Sequence, residues 1–310
     1  LPLQERYPRL AGALLCAIAA VAFSGKAVII KLAYRHGVDA LTLLALRMIF
    51  SAPLFVALAW WSSRRDHAVP LARADLGAIV GLGLIGYYLS SYFDFLGLQY
   101  ITAALERLVL FLYPTFVLLL SAIFSRRRVT GRDVAAVVIS YVGIGVVFMN
   151  DFRTQPGNVV VGSLWVLLSS IFYATYLMGS GRLVGRVGSL RFACYAGVVS
   201  CLGVVVHFLV VSDWRVIVAQ PAPVYWLSIL MAAVSTVMPI VLTSEGIRRI
   251  GASHASIVGS TGPVATIFLG YIFLGEPITS VQVTGAALVL AGVLIVSLGK
   301  RPEASGARRV

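Results

Sequence analysis

Five ionisable residues stand inside apolar runs: Lys26, Arg47, Asp94, Glu106 and Arg107. A charge held in such a run is costly and faces either an opposite charge or a wet path. At 1.5 Å of helical rise per residue, Lys26, Arg47, Glu106 and Arg107 fall roughly 5–8 Å to one side of a bilayer midplane, with Asp94 somewhat further out. Three cations and two anions at one depth can pair and leave a cation over. That leaves two readings. The charges form a structural ion-pair network among the first four apolar runs, or the surplus cation meets an anionic group of a solute, such as a carboxylate.

Other residues can complete such a site. Tyr87, Ser91 and Asp94 stand at i, i+4 and i+7, on one helical face. Tyr87, Tyr173 and Tyr176 can supply flat apolar walls with a polar tip to an amphipathic solute, or serve as ordinary packing. Ser256 and Ser260 lie in a stretch of small residues from Ser253 to Gly262, where hydroxyls serve helix packing or a polar path. Pro114 and Pro263 each sit mid-run, where proline frees a carbonyl and bends the helix. They read as paired hinges. His207 and His254 read as packing or interfacial residues. Cys16, Cys194 and Cys201 lie inside apolar runs with no disulfide or metal-site spacing, and read as small buried hydrophobes. No metal and no cofactor is implied.

The elements that position these residues are membrane spans. The 310 residues are 59% hydrophobic and 12% charged, with a mean hydropathy of +0.93. A soluble domain carries about a quarter charged residues, which sets that class aside. Ten segments of about 20 residues fit a bilayer, at about 10–32, 40–61, 75–97, 101–123, 131–149, 160–180, 190–211, 224–245, 250–272 and 279–298. The first run is too long for a signal-peptide core and lacks an A-x-A-like end, so it reads as a span. The tenth reads as a packing helix or a dimer contact.

A net charge of +13 invites a nucleic-acid partner, and its distribution argues against one. With the N-terminus placed inside the cell, eighteen Lys and Arg lie in inside segments, Arg64, Arg65, Arg126, Arg127 and Arg128 among them. Lys31, Arg35, Arg153 and Arg215 make four outside. This bias predicts that both termini of a multi-pass membrane protein lie in the cytoplasm, with the lipid bilayer as partner.

The chain also repeats itself. Residues 97–149 slide onto 246–298 at an offset of 149 without a gap. Gly97 falls on Gly246, Pro114 on Pro263, Phe124 on Phe273 and Gly143 on Gly292, and hydropathy matches throughout. Fixed-offset similarity marks an internal duplication. Five spans per half is an odd number, so the second half must cross upside down, as transporter repeats do. The predicted fold is all-α: ten transmembrane helices as two inverted five-helix repeats, residues 1–153 and 154–310, around a central cavity.

"FLGEPIT" from Phe273 to Thr279, "LALRMIF" around Arg47, and ten spans in two inverted halves resemble the EamA-type branch of the drug/metabolite transporter superfamily. The resemblance implies channel-like halves around a central cavity and export of amino acids or other metabolites; bacterial aromatic amino-acid exporters are among its members. It assigns the Leu-Gly-Glu motif to Leu274, Gly275 and Glu276, and a second-span arginine to Arg47. The first half carries Ser125 to Arg128 in place of that motif, so Glu276 reads as a loop anchor. The expected function is a secondary transporter of small amino acid-like metabolites, aromatic or hydrophobic ones included, working by alternating access. Transport of nucleotide-linked or phosphorylated solutes is the alternative. A lipid-modifying membrane enzyme would need a His, Asp or Glu cluster at the interface, and none is apparent.

Overall fold

The computed structural model describes residues 8–64, 71–125, 130–154 and 157–298. Arg6, Arg65, Arg126–Arg128, Lys300, Arg301, Arg308 and Arg309, which weigh in the charge asymmetry, lie outside them. Among the described residues the chain is helical, with no strand. Nine helices among the described residues are long and apolar enough to cross a bilayer: Leu10–Tyr34, Ala40–Ser63, Arg73–Leu98, Ala103–Phe124, Gly131–Thr154, Val159–Gly181, Ser189–Val211, Ala222–Gly251 and Ile257–Leu274. A tenth apolar stretch, Ser280–Ile295, is shorter. Below, these are the first to tenth helices.

Start signals are local. Asp39 caps the second helix, its Oδ1 accepting from the backbone N–H groups of Leu41 and Thr42 at 2.9 Å each. Asn158 caps the sixth through the Val161 N–H at 3.2 Å.

The duplication is legible in the backbone. Helical segments that begin at Ala40, Arg73, Tyr113 and Gly131 recur at Ser189, Ala222, Gly262 and Ser280, each 149 positions on. Inside the third helix the backbone widens into a π-helical turn at Leu84–Leu89, and inside the eighth at Ala233–Val237, again at that offset. Such turns are rare and gather at functional sites.

The repeats interlock. The first helix packs along the eighth, the second along the seventh, the third along the sixth and the fifth along the tenth. Each pair takes one helix from each repeat. In lipid, close packing replaces the hydrophobic drive, so small residues mark the crossings. At the third–sixth crossing a Cβ on Gly97 would sit 2.8 Å from the Gly162 carbonyl oxygen. At the first–eighth crossing one on Gly246 would sit 3.2 Å from that of Gly12. Only glycine lets these backbones approach so closely.

The fourth and ninth helices are broken. Ala103–Leu110 ends, Phe111 and Leu112 form a turn, and Tyr113–Ser125 begins again with Pro114 as its second residue. In the ninth, Ser260 and Thr261 interrupt the helix, and Gly262–Leu269 restarts with Pro263 in the same place. A proline suits the first turn of a helix because its missing N–H has no partner there anyway. Pro114 also deprives the Leu110 carbonyl of its helical donor, and the Ser170 hydroxyl donates to that oxygen at 3.1 Å. At the ninth-helix break the Ser24 hydroxyl lies between two carbonyl acceptors, Ala20 of its own helix at 2.7 Å and Gly262 at 2.9 Å. Each break is thus met by the first helix of the opposite repeat.

Candidate functional site

The buried charges converge. Lys26, on the first helix, donates from Nζ to Asp94 Oδ2 of the third at 2.6 Å and lies 3.9 Å from Glu106 Oε1 of the fourth. Asp94, Glu106 and Arg107 are almost wholly buried. Lys26 and Arg107 both stand over the Phe23 ring, at 5.4 and 4.9 Å from its centroid, the cation–π arrangement that desolvated cations favour.

Both arginines are held by the second repeat. Arg47 Nε donates to Thr236 Oγ1 at 2.9 Å, and Arg107 Nε donates to Thr266 Oγ1 at 3.0 Å. Each threonine hydroxyl spends its own proton on its helix. Thr236 donates to the Met231 carbonyl at 2.9 Å and Thr266 to that of Gly262 at 3.1 Å. A hydroxyl has one donor and two lone pairs, so this leaves a lone pair aimed at the guanidinium. The π-helical turn of the eighth helix carries Thr236, and the restarted half of the ninth carries Thr266.

Several buried atoms have no hydrogen-bond partner among the described residues. They include Nη1 of Arg47, Nη1 of Arg107, Oδ1 of Asp94 and both carboxyl oxygens of Glu106, besides hydroxyls of Ser51, Ser163, Ser200 and Ser235. Buried polar groups are nearly always paired. Unfilled donors and unfilled acceptors thus stand together in and at the edge of the buried cluster.

A tyrosine wall borders it. Tyr87 meets Tyr176 edge-on at 5.3 Å, Tyr176 stacks on Tyr173 at 5.9 Å, and Tyr113 meets Tyr173 edge-on at 5.1 Å. Tyr87 lies in the π-helical turn of the third helix, and Gly86 beside it leaves the room that the Tyr176 ring occupies. Phe111 joins the wall to the cluster, its ring centroid 5.9 Å from that of Tyr113 and 5.9 Å from Arg107 Cζ.

A cleft of about 630 Å³ opens where the first, third, fifth and ninth helices end, lined in part by Lys31, Arg35, Asn150, Asp151, Glu276 and Gln282. Gly275, at φ +72°, takes the left-handed conformation that ends the ninth helix, a turn glycine adopts freely. It delivers Glu276 to the start of the fourth helix, where Oε1 accepts from the Ala103 N–H at 3.2 Å. Thr102 caps that helix at the Leu105 N–H and donates to Asp151 Oδ2 at 2.6 Å. Lys31 donates to the Ile101 carbonyl and Arg35 to the Leu274 carbonyl, each at 2.7 Å. Burial pushes the Glu276 carboxyl above its ordinary range, against the pull of Lys31 nearby.

The same family model matches twice, over residues 10–149 and again over 160–298, and its description is the EamA-like transporter family. The chain belongs to that family. An "Uncharacterized transporter YcbK" of Bacillus subtilis is 32% identical over 296 residues, covering 93% of this chain and 92% of its own length. A "Probable terminal-alkyne amino-acid exporter" of Streptantibioticus cattleyicolor is 26% identical over 285 residues, covering 88% and 91%. A solved crystal structure superposes with a TM-score of 0.64 at 18% identity, covering 93% of this chain and 96% of that one. This last likeness concerns the fold.

In this EamA-family chain, the sequence-predicted residues fall into three groups. Lys26, Asp94, Glu106 and Arg107 meet in one cluster; Arg47 sits at its edge, 5.5 Å from the Phe95 ring centroid; and Tyr87, Tyr173 and Tyr176 form the wall. Ser260 is buried at the ninth-helix break and donates to the Ile257 carbonyl at 2.6 Å. Ser91 is half-buried, whereas Ser90, four residues before Asp94, is buried and bonded to Ser169. The Ser256 side chain lies outside what is described. Thr266, Ser24, Ser170 and Tyr113 escaped the sequence reading. A threonine four residues after Gly262, in an otherwise apolar half-helix, was the available signal for Thr266.

Proposed function

We propose that the chain exports small amino acid-like solutes, hydrophobic or aromatic ones included, across a bacterial inner membrane by alternating access, without catalysing a reaction. The observation that carries the reading is the set of unfilled donors and acceptors inside the buried cluster. Nη1 of Arg47 and Nη1 of Arg107 suit a carboxylate, and the free oxygens of Asp94 and Glu106 suit an ammonium. The tyrosine wall suits an apolar side chain. The amino-acid exporter among the relatives agrees in substrate class. The repeats divide at residues 153 and 154, and both termini face the cytoplasm, on the strength of the charge bias. Pro114 and Pro263 act as paired hinges, since each stands at the restart of a broken helix at the same repeat position.

Purified protein in liposomes, offered a panel of labelled amino acids and nucleotide sugars, tests this. Saturable amino-acid flux is expected. Arg47→Ala should lower it about tenfold or more, the equivalent of a lost charged hydrogen bond, while Arg9→Ala at equal expression should not. Equal flux in the two variants removes Arg47 from the site. Nucleotide-sugar exchange without amino-acid flux overturns the substrate class.

A further inference from the structure

The cleft at the helix ends lies over the buried cluster. Leu98 and Thr102 line it, and each stands one helical turn, about 6 Å, from a cluster carboxylate: Leu98 from Asp94, Thr102 from Glu106. On the topology proposed above, the cleft faces outward. Its 630 Å³ suits a small molecule, since such sites run from about 300 to 1,000 Å³. Between cleft and cluster the chain is closed. Leu98 and Leu105 are wholly buried there, and the Tyr34 hydroxyl donates to the Phe95 carbonyl at 2.6 Å.

Lys31, Arg35, Asp151 and Glu276 are the charged side chains of the cleft. Both acids are spent on the wall. Asp151 accepts from Thr102 at 2.6 Å and from the Asn150 amide at 3.3 Å. Glu276 caps the fourth helix at Ala103 and has the Lys31 ammonium 4.0 Å away. Arg35 is exposed and makes no ion pair among the described residues; its Nη2 donates to the neutral Leu274 carbonyl at 2.7 Å. A guanidinium carries several N–H donors in a planar fork that matches the edge of a carboxylate, so most of this fork is left for the cleft. Gln282 turns its Oε1 to the Thr279 N–H at 3.3 Å, which leaves its NH2 group there too. Acceptors engaged and donors left over suit an anionic group.

We infer that the outer cleft is an exit site, which takes a carboxylate on the Arg35 guanidinium and holds the solute after the buried cluster has selected it. The fit to a carboxylate follows from the cleft; that the carboxylate is the exported solute's own rests on the amino-acid reading above. A carboxylate makes charge-assisted bonds to the guanidinium, stronger than the one bond to the Leu274 carbonyl that it displaces. That bond ties the first helix to the end of the ninth, so an occupant of the cleft also loosens the rim through which it leaves.

Two measurements on the full-length protein in lipid nanodiscs test this. Phenylglyoxal labels accessible arginines, and peptide mass spectrometry reads Arg35 apart from Arg215, the control on another outer segment. L-phenylalanine at about ten times its dissociation constant should slow Arg35 labelling about tenfold and leave Arg215 unchanged. Phenylalaninamide, which keeps the ring and ammonium and lacks the carboxylate, should protect neither. No protection of Arg35, or equal protection by the amide, overturns the inference. Equal protection by inorganic phosphate makes the cleft a general anion site and overturns the solute assignment. Equilibrium dialysis of labelled phenylalanine should find two sites per chain, and one in Arg35→Ala. A single site that survives Arg35→Ala overturns the inference and leaves the buried cluster as the binding site. A single site that Arg35→Ala abolishes keeps the cleft and removes the cluster from the amino-acid reading.

Discussion

Set side by side, the two repeats place the same helices in the same register and fill them with different side chains. At the offset of 149, Arg47 meets Ala196, Asp94 meets Thr243, Glu106 meets Ala255 and Arg107 meets Ser256. What both halves keep is backbone: the π-helical turns of the third and eighth helices, the breaks at Phe111–Leu112 and Ser260–Thr261, and the glycine crossings. What one half keeps alone is charge. The shared parts are those that bending needs, and a device that opens to two sides needs them twice. On the function proposed above, the unshared parts are those that recognise, and recognition needs one site. The second repeat answers the arginines of the first with threonine hydroxyls, which hold a guanidinium without cancelling its charge.

The sharpest way to break this comparison is to unbalance the charged half. Lys26→Met leaves Asp94 buried without its cation and should cost about 3–5 kcal/mol, the usual penalty for orphaning half of a buried pair. Thr266→Val, its counterpart in the neutral half, should cost about 1–3 kcal/mol through loss of one acceptor to a charged donor. Thermal unfolding in detergent compares the two. Equal losses mean that charge is not concentrated as described.

The glycine crossings probe the shared half of the argument. Gly97→Ala and Gly246→Ala should each destabilise by about 1–3 kcal/mol, since each forces two packed backbones apart. A large cost at one and none at the other would show that the crossings are not equivalent.

The smallest effect on stability is expected at the prolines. Replacing both Pro114 and Pro263 by alanine restores two N–H donors at positions where helices already restart. Turnover in liposomes should slow while the solute dissociation constant holds. Unchanged turnover disposes of the hinge.

Much of this molecule was legible before any coordinates. The apolar runs, their repeat, the five buried charges and the mid-run prolines all follow from local composition and spacing, because a bilayer imposes length and apolarity on each segment separately. Even the tyrosine wall could be nominated, since Tyr173 and Tyr176 are three residues apart on one helix.

Tertiary structure alone decided who meets whom. Thr236 lies 189 residues from Arg47, Thr266 lies 159 from Arg107, and Glu276 lies 173 from the helix start that it caps. No local rule links such positions. The prolines announced bends, but that Ser170 arrives from the opposite repeat to take up the carbonyl freed by Pro114, and that Ser24 packs against the second break, depends on which helices meet. The π-helical turns carry no composition of their own. Hydropathy and helical period are properties of a segment, and the sequence determined them. The partners of a buried donor depend on which segments pack, and only the folded chain decides that.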